Sequence, residues 1–265
     1  MNHIHVTIKR LSLYVVGLFF LSLGVSFSIL ANFGVSPVSS LAYAFSLTTG
    51  LSVGMMTIVA NLLFIILQIM ISKRFNPREA IVQLMIAFLF GFFMDLTLYL
   101  LQLLPVSETP AVRVLFLIVS LFVVAVGLLD YTSVKLPLMP YDELTAVIAT
   151  RFKWAFSKAK ITSDLLNVVL AGLVCLTFIR TLGSIGIGTV VAAVFIGKIL
   201  GWLIIHFREP MLGWVYRGHE DLQVTTIAAQ AEQAVLEEKE KAERERLEAL
   251  KHSASGQVKD EDWSV

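Results

Sequence analysis

Six apolar stretches run along the chain, each continuous rather than striped. They cover Leu11–Ala31, Val53–Ser72, Ala80–Leu104, Val114–Leu129, Ile161–Ile179 and Ser184–His206. A helix rises about 1.5 Å per residue, so a hydrocarbon core of about 30 Å takes about 20 apolar residues. The pattern predicts an all-α fold, a polytopic membrane bundle of six transmembrane helices. The fourth stretch is the shortest and is expected to begin before Arg113. Two further apolar segments, Pro37–Thr49 and Pro140–Thr150, hold about 12 residues each, too few to span comfortably. They are expected to be re-entrant or broken helices. The first stretch does not read as a cleaved signal peptide, because its apolar run is too long. Its flank Ile29-Leu30-Ala31-Asn32 also lacks a small-x-small site.

Composition agrees with the pattern. Of 265 residues, 57% are apolar and 15% charged. A soluble core of this size cannot hide that much apolar surface, and disordered chains are poor in it. The single cysteine, Cys175, excludes a disulfide scaffold. The net charge of +1 is a cancellation. Residues 1–217 carry 15 Lys+Arg and 8 Asp+Glu, while residues 218–265 carry 6 and 12, which gives +7 and −6. The expected organisation is a first membrane repeat over 1–110, a second over 111–217, and an acidic cytoplasmic helical tail over 218–265.

Basic loops set the direction of membrane proteins. If the two short segments do not cross, Lys9, Arg10, Lys73, Arg74, Arg78, Lys135, Arg151, Lys153, Lys158, Lys160, Arg208 and Arg217 face one side. Only Arg113 and Arg180 then face the other, with Lys198 inside a span. Letting both short segments cross weakens this bias. The expectation is six spans with both termini in the cytoplasm.

The two halves also look alike. Ser36-Pro37-Val38-Ser39-Ser40-Leu41 aligns with Met139-Pro140-Tyr141-Asp142-Glu143-Leu144, and Gly24 with Gly127 at the same offset. Asn61 aligns with Asn167, and Gly91 with Gly197, after a small insertion near Arg151–Lys160. An odd number of spans per copy makes this a 3+3 inverted repeat. In such folds the substrate site lies near the midplane, where interrupted helices of the two halves meet.

That placement selects the candidate substrate-binding residues: Ser39, Ser40, Asn61, Asp95, Asp142, Glu143 and Asn167. Pro37 and Pro140 suit the first position of a helix, where the missing N–H costs nothing. Asp142 and Glu143 then fall in a first turn. The plain reading is that they complement the helix dipole, and the functional one is that they hold a cation or carry a proton. Asn61 and Asn167 lie inside spans, where interhelical hydrogen bonding is the competing role. Asp95 lies well inside the third stretch and is expected to face protein or water. Asp164, near a span edge, is expected to be solvated.

The remaining motifs carry less chemistry. Gly183-Ser184-Ile185-Gly186-Ile187-Gly188-Thr189 follows no strand, so it reads as a tight turn with close helix packing rather than a dinucleotide fingerprint. No histidine has metal-ligand spacing, and no nucleophile–base set is visible. The expectation is no metal, no cofactor and no enzyme. The bases and aromatics of Arg151–Lys160 read as an interfacial helix, not a nucleic-acid site. Asp221–His252 reads as a solvated helix or a weak coiled coil, followed by a disordered end.

Several of these motifs together resemble a known group. They are the spacing from Gly24 to Phe33-Gly34-x-x-Pro37, the Thr49–Gly54 stretch, Pro140-Tyr141-Asp142-x-Leu144, and Gly186-Ile187-Gly188-Thr189 leading to Gly197. They resemble the YczE/YitT-type bacterial integral membrane proteins over about residues 8–206. The resemblance implies a bacterial plasma membrane location and a duplicated body, without a substrate. Members often carry an acidic residue soon after the first proline, where this chain has Ser39. The function expected is a secondary transporter or permease for a small solute or ion, with proton or cation coupling. The alternative is a non-transporting scaffold or regulator. The expected partners are the lipid bilayer and, through the tail, a cytoplasmic protein or a homo-oligomer.

Overall fold

The computed structural model describes residues 2–103, 109–134 and 136–217. Among them are eight helices and no strand: α1 (Asn2–Ala31), α2 (Pro37–Thr49), α3 (Val53–Ser72), α4 (Pro77–Gln102), α5 (Pro110–Ser133), α6 (Pro140–Phe152), α7 (Phe156–Phe178) and α8 (Ile187–Val215). Six of these, α1, α3, α4, α5, α7 and α8, are long and apolar enough to cross a membrane. By length and composition this is a multi-pass membrane protein. The short α2 and α6 have 13 residues each, about 20 Å of helix. Residues Met1–Val215 form one compact unit. The tail helix expected over Asp221–His252 lies outside the described residues.

Local chemistry sets the helix ends. Pro37, Pro77, Pro110 and Pro140 each open a helix, where their preset φ helps and no N–H is lost. The Ser52 hydroxyl accepts the Met55 N–H at 3.1 Å and caps α3. Gly50 closes α2 at φ 73°, and its N–H reaches the Ser46 carbonyl at 2.9 Å. That left-handed turn favours glycine.

Several expected boundaries move. α1 begins at Asn2 rather than Leu11, and α5 at Pro110. α8 begins at Ile187, because Ser184–Gly186 are engaged elsewhere, and it continues through Pro210 to Val215. The interfacial helix expected over Arg151–Lys160 does not form. Lys153 adopts φ 53° and ends α6, and α7 starts at Phe156. The aromatics of this corner cover one another instead, with Trp154 5.5 Å from Phe152 and the Lys158 ammonium 5.1 Å over its ring.

α1 and α5 form the closest helix pair and run antiparallel. Gly17 meets Gly127 and Tyr131, while Gly24 meets Val124. Small residues let two backbones approach where lipid gives no hydrophobic drive to associate. α4 and α8 flank this pair, α4 on α1 and α8 on α5. The apolar centre there comprises Leu18, Leu21 and Val25 of α1, Phe90 and Met94 of α4, and Val124 and Tyr131 of α5. The short helices lie against the other two spans. α2 packs on α7 and α3, and α6 packs on α3 and α7. Leu41, Phe64, Tyr141, Leu144 and Cys175 share that second core.

Gly127 gives a direct test of the central pair. A Cβ there would lie 2.5 Å from the Leu21 nitrogen and 2.7 Å from the Gly17 oxygen. Gly127→Leu is expected to destabilise by about 1–3 kcal/mol or more, the range for overpacking a filled site. Gly213→Ala, where a Cβ meets nothing within 4 Å, should leave the melting temperature unchanged or raise it slightly. Thermal unfolding of the two variants in detergent measures the difference.

Candidate functional site

The starts of the two short helices come together on one face of α7. Asn167, at the midpoint of α7, donates from Nδ2 to the Pro37 carbonyl at 2.6 Å and the Val38 carbonyl at 3.1 Å. One turn earlier, Asp164 accepts from the Tyr141 hydroxyl of α6 at 2.5 Å. Three residues of helix separate the two contacts, about 4.5 Å along the axis. Residues three apart share a helix face. α2 then runs from this middle level toward the far end of α7, where Leu47 lies against Gly183.

Around the start of α6 the structure assembles a charged cluster from three helices. Asp142 Oδ1 accepts from the Lys160 ammonium at 3.0 Å, and its Oδ2 accepts a short hydrogen bond from the Tyr131 hydroxyl. The same ammonium lies 3.4 Å from Asp164 Oδ1 and 4.4 Å from the centroid of the Tyr141 ring. The side chains of Lys160, Asp142 and Asp164 are 28%, 17% and 25% exposed. Two carboxylates thus share one ammonium in a partly dry setting. Tyr131 is held from behind by the edge of Tyr14, 5.8 Å away, whose hydroxyl donates to the Pro137 carbonyl at 2.8 Å.

Burial and the adjoining Asp164 carboxylate push the Tyr141 phenol well above its ordinary pKa. It therefore stays protonated and acts as a donor. Glu143 is also raised, first by burial and then by the charges of Glu79 and Asp142. Two side chains near these elements have no partner among the described residues: the buried Ser163 Oγ on α7 and the buried Gln68 Oε1 on α3.

The expected site residues divide into three groups. Asp142 belongs to the cluster, with Glu143 beside it on α6. Ser39, Ser40 and Asn167 meet at the start of α2, where Ser40 Oγ donates to the Pro37 carbonyl at 2.7 Å and Ser36 Oγ to Ser39 Oγ at 3.4 Å. Asn61 and Asp95 have other work. The buried Asn61 donates to the Thr57 carbonyl of its own helix at 2.9 Å, so it does not mirror the cross-helix role of Asn167. Asp95 accepts from Ser52 Oγ and from the Gly54 N–H, both at 2.7 Å. It caps the first turn of α3 from α4, and the carboxylate serves unpaired N–H groups at a helix start.

Three cluster members were not singled out from sequence. Lys160 reads there as one more cytoplasmic base, Tyr141 enters only through the Pro140-Tyr141-Asp142 motif, and Tyr131 is not read at all. Asp164 is not the freely solvated edge residue expected but the second carboxylate of the cluster. The one local signal was the i,i+4 spacing of Lys160 and Asp164.

Glu143 predicts a pH dependence. Its folded pKa is raised, so the stability it contributes is present below the ordinary glutamate value. That stability is lost as pH rises through the raised value. Glu143→Gln should therefore melt at a higher temperature than the unmodified chain at pH 8 and close to it at pH 4. Melting curves across that range test the sign.

Comparison with known proteins places the chain without assigning an activity. It is 25% identical over 199 residues to the uncharacterized protein YyaS of Bacillus subtilis (strain 168), which covers 75% of this chain and 92% of that protein. No solved structure matches the chain. The YczE/YitT-type likeness rests on the motifs alone. The profile of a family of unknown function, DUF6198, matches residues 8–204, and the chain belongs to that family.

Proposed function

We propose that the chain is a secondary transporter or permease for a small solute, with proton or cation coupling. One observation carries the reading: both Pro-led short helices begin on one face of α7, α2 at its midpoint at Asn167 and α6 at Lys160 and Asp164 one to two turns earlier. Interrupted helices that converge on polar side chains near the midplane are how many secondary transporters hold solute and coupling ion. Irregular backbone at that depth is otherwise hard to accommodate in lipid.

The packing of the helices supports a 3+3 inverted repeat over residues 1–110 and 111–217. Exchanging α1–α4 with α5–α8 carries α1·α4 into α5·α8, α2·α3 into α6·α7 and α2·α7 into α6·α3, while α1·α5 maps onto itself. The antiparallel α1·α5 pair is what a two-fold axis in the membrane plane requires. The proposed orientation puts both termini in the cytoplasm of a bacterial plasma membrane. The Lys9 ammonium donates to the Trp214 carbonyl at 3.0 Å, so the start of α1 and the end of α8 share a side. On this reading the chain is not an enzyme and needs no cofactor.

Topology is tested in a Cys175→Ser background. Cysteine at Ser107 should react with a membrane-impermeant maleimide from outside, and cysteine at Ser72 only from inside. Labelling of position 72 from outside would reject the inverted repeat. For transport, a thermal-shift screen of metabolites first identifies a solute, since a ligand of the folded state raises its melting point. In proteoliposomes Asp142→Asn is then expected to reduce flux at least tenfold with normal expression. Removing residues 218–265 should spare most of it. Full flux in Asp142→Asn removes the carboxylate from the mechanism, and loss of all function on tail removal favours a scaffold.

A further inference from the structure

We infer that Lys160 is a tethered cation occupying the cation site of this protein, so that no free metal or organic cation binds there while it is in place. The inference rests on the transporter reading for its purpose, but not for its geometry. The ammonium meets the Asp142 carboxylate at 3.0 Å, the Asp164 carboxylate at 3.4 Å and the face of Tyr141 at 4.4 Å. Carboxylate oxygens and an aromatic face are the groups that hold a free monovalent or organic cation. Here a side chain of the protein supplies the charge.

Three of the oxygens and both tyrosine hydroxyls around it are tied into this arrangement. Tyr131 donates to the second oxygen of Asp142, and Tyr141 donates to the Asp164 oxygen that faces Lys160. A metal ion entering beside Lys160 would have to displace these donors and sit against a like charge. Two carboxylates against one ammonium leave one negative charge in a partly dry site. The groups facing the cluster are Tyr131 of α5, Tyr14 of α1, Tyr141 and Glu143 of α6, and Glu79 of α4, whose charge acts on Glu143. Lys160 is the base that meets both carboxylates among the described contacts, at 3.0 and 3.4 Å. Ser163 Oγ, buried without a partner among the described residues, lies on the α7 face between Lys160 and Asn167.

The test reads cation binding, not flux. The full chain in nanodiscs is melted in sodium, potassium or methylammonium chloride, each against N-methyl-D-glucamine chloride at equal ionic strength. The unmodified protein should show no saturable shift with any of the three. Lys160→Ala should melt lower and recover part of the loss, saturably, in millimolar methylammonium or sodium. Lys160→Ala/Asp142→Asn, which removes one charge of each sign, should be more stable than Lys160→Ala and fold where that single variant does not. A saturable sodium or potassium shift in the unmodified chain would overturn the inference. So would a folded Lys160→Ala that ignores all three cations, or a double variant no better than the single. Failure here leaves transport untouched, and absence of flux leaves the cation site untouched.

Discussion

Buried backbone polar groups cannot go unpaired, and the rest of this structure depends on how that demand is met at two breaks. The chain leaves helical geometry between α1 and α2 and again between α5 and α6. At the first break, the Val35 N–H donates to the Ser184 carbonyl at 3.0 Å, and the Gly188 N–H to the Phe33 carbonyl at 2.7 Å. Gly34 and Gly186 make this possible. A Cβ on Gly34 would lie 2.3 Å from the Gly186 nitrogen, and Gly34 sits at φ 94°. The glycine-rich 183–189 segment is therefore a backbone partner for the first break. At the second break side chains do the same work. Arg10 donates twice to the Val134 carbonyl, at 3.0 and 2.7 Å, and Tyr14 donates to that of Pro137.

The two halves thus share a plan and differ in chemistry. The first break is closed by neutral backbone, and its short helix opens on Ser39 and Ser40. The second is closed by an arginine and a tyrosine, and its short helix opens on Asp142 and Glu143. The difference extends to the flanks. Gly54 and Gly91 let α3 and α4 touch, whereas a Cβ at Gly197, the partner of Gly91 in the sequence alignment, meets nothing within 4 Å. Charge and openness fall in the same half. On the transporter reading proposed above, one neutral and one charged arm would give solute and coupling ion the different surfaces they require.

The sequence announced much of this fold for a physical reason. Length and apolarity alone decide whether a helix crosses a bilayer, so all six spanning helices were visible, as were the two short ones between prolines and a break. Their ends were less visible, because ends answer to partners far along the chain. Ser184–Gly186 leave the last helix to serve residues 33–35, and nothing in the local pattern says so. The site divides the same way. Asp142 could be placed from Pro140 alone, as a carboxylate in a first turn. Asp95 looked equally unusual, yet its partners Ser52 and Gly54 lie more than forty residues away, and only packing shows that it caps α3. Lys160 was hidden by its abundance of neighbours, one base among several in Arg151–Lys160, until the fold turned it toward Asp142.

Stability alone does not account for the charges that Lys160 brings together. Taking a carboxylate or an ammonium even partly out of water is costly. A buried ion pair often returns no more than its desolvation cost, and apolar residues of similar volume usually do as well. Three charged groups and two tyrosines at the start of one short helix are therefore expensive as mere glue. They make sense as the tethered-cation site inferred above. A tethered ammonium suits that role better than a captured ion, because it adds no association entropy to each cycle and holds its geometry when one carboxylate is neutralised. Neutralising Asp142 would weaken the hold of α7 on the first turn of α6, while the Tyr141–Asp164 bond kept the two helices in register. The part free to move would then be the start of the short helix, where a solute entering from the middle of the bundle would meet it.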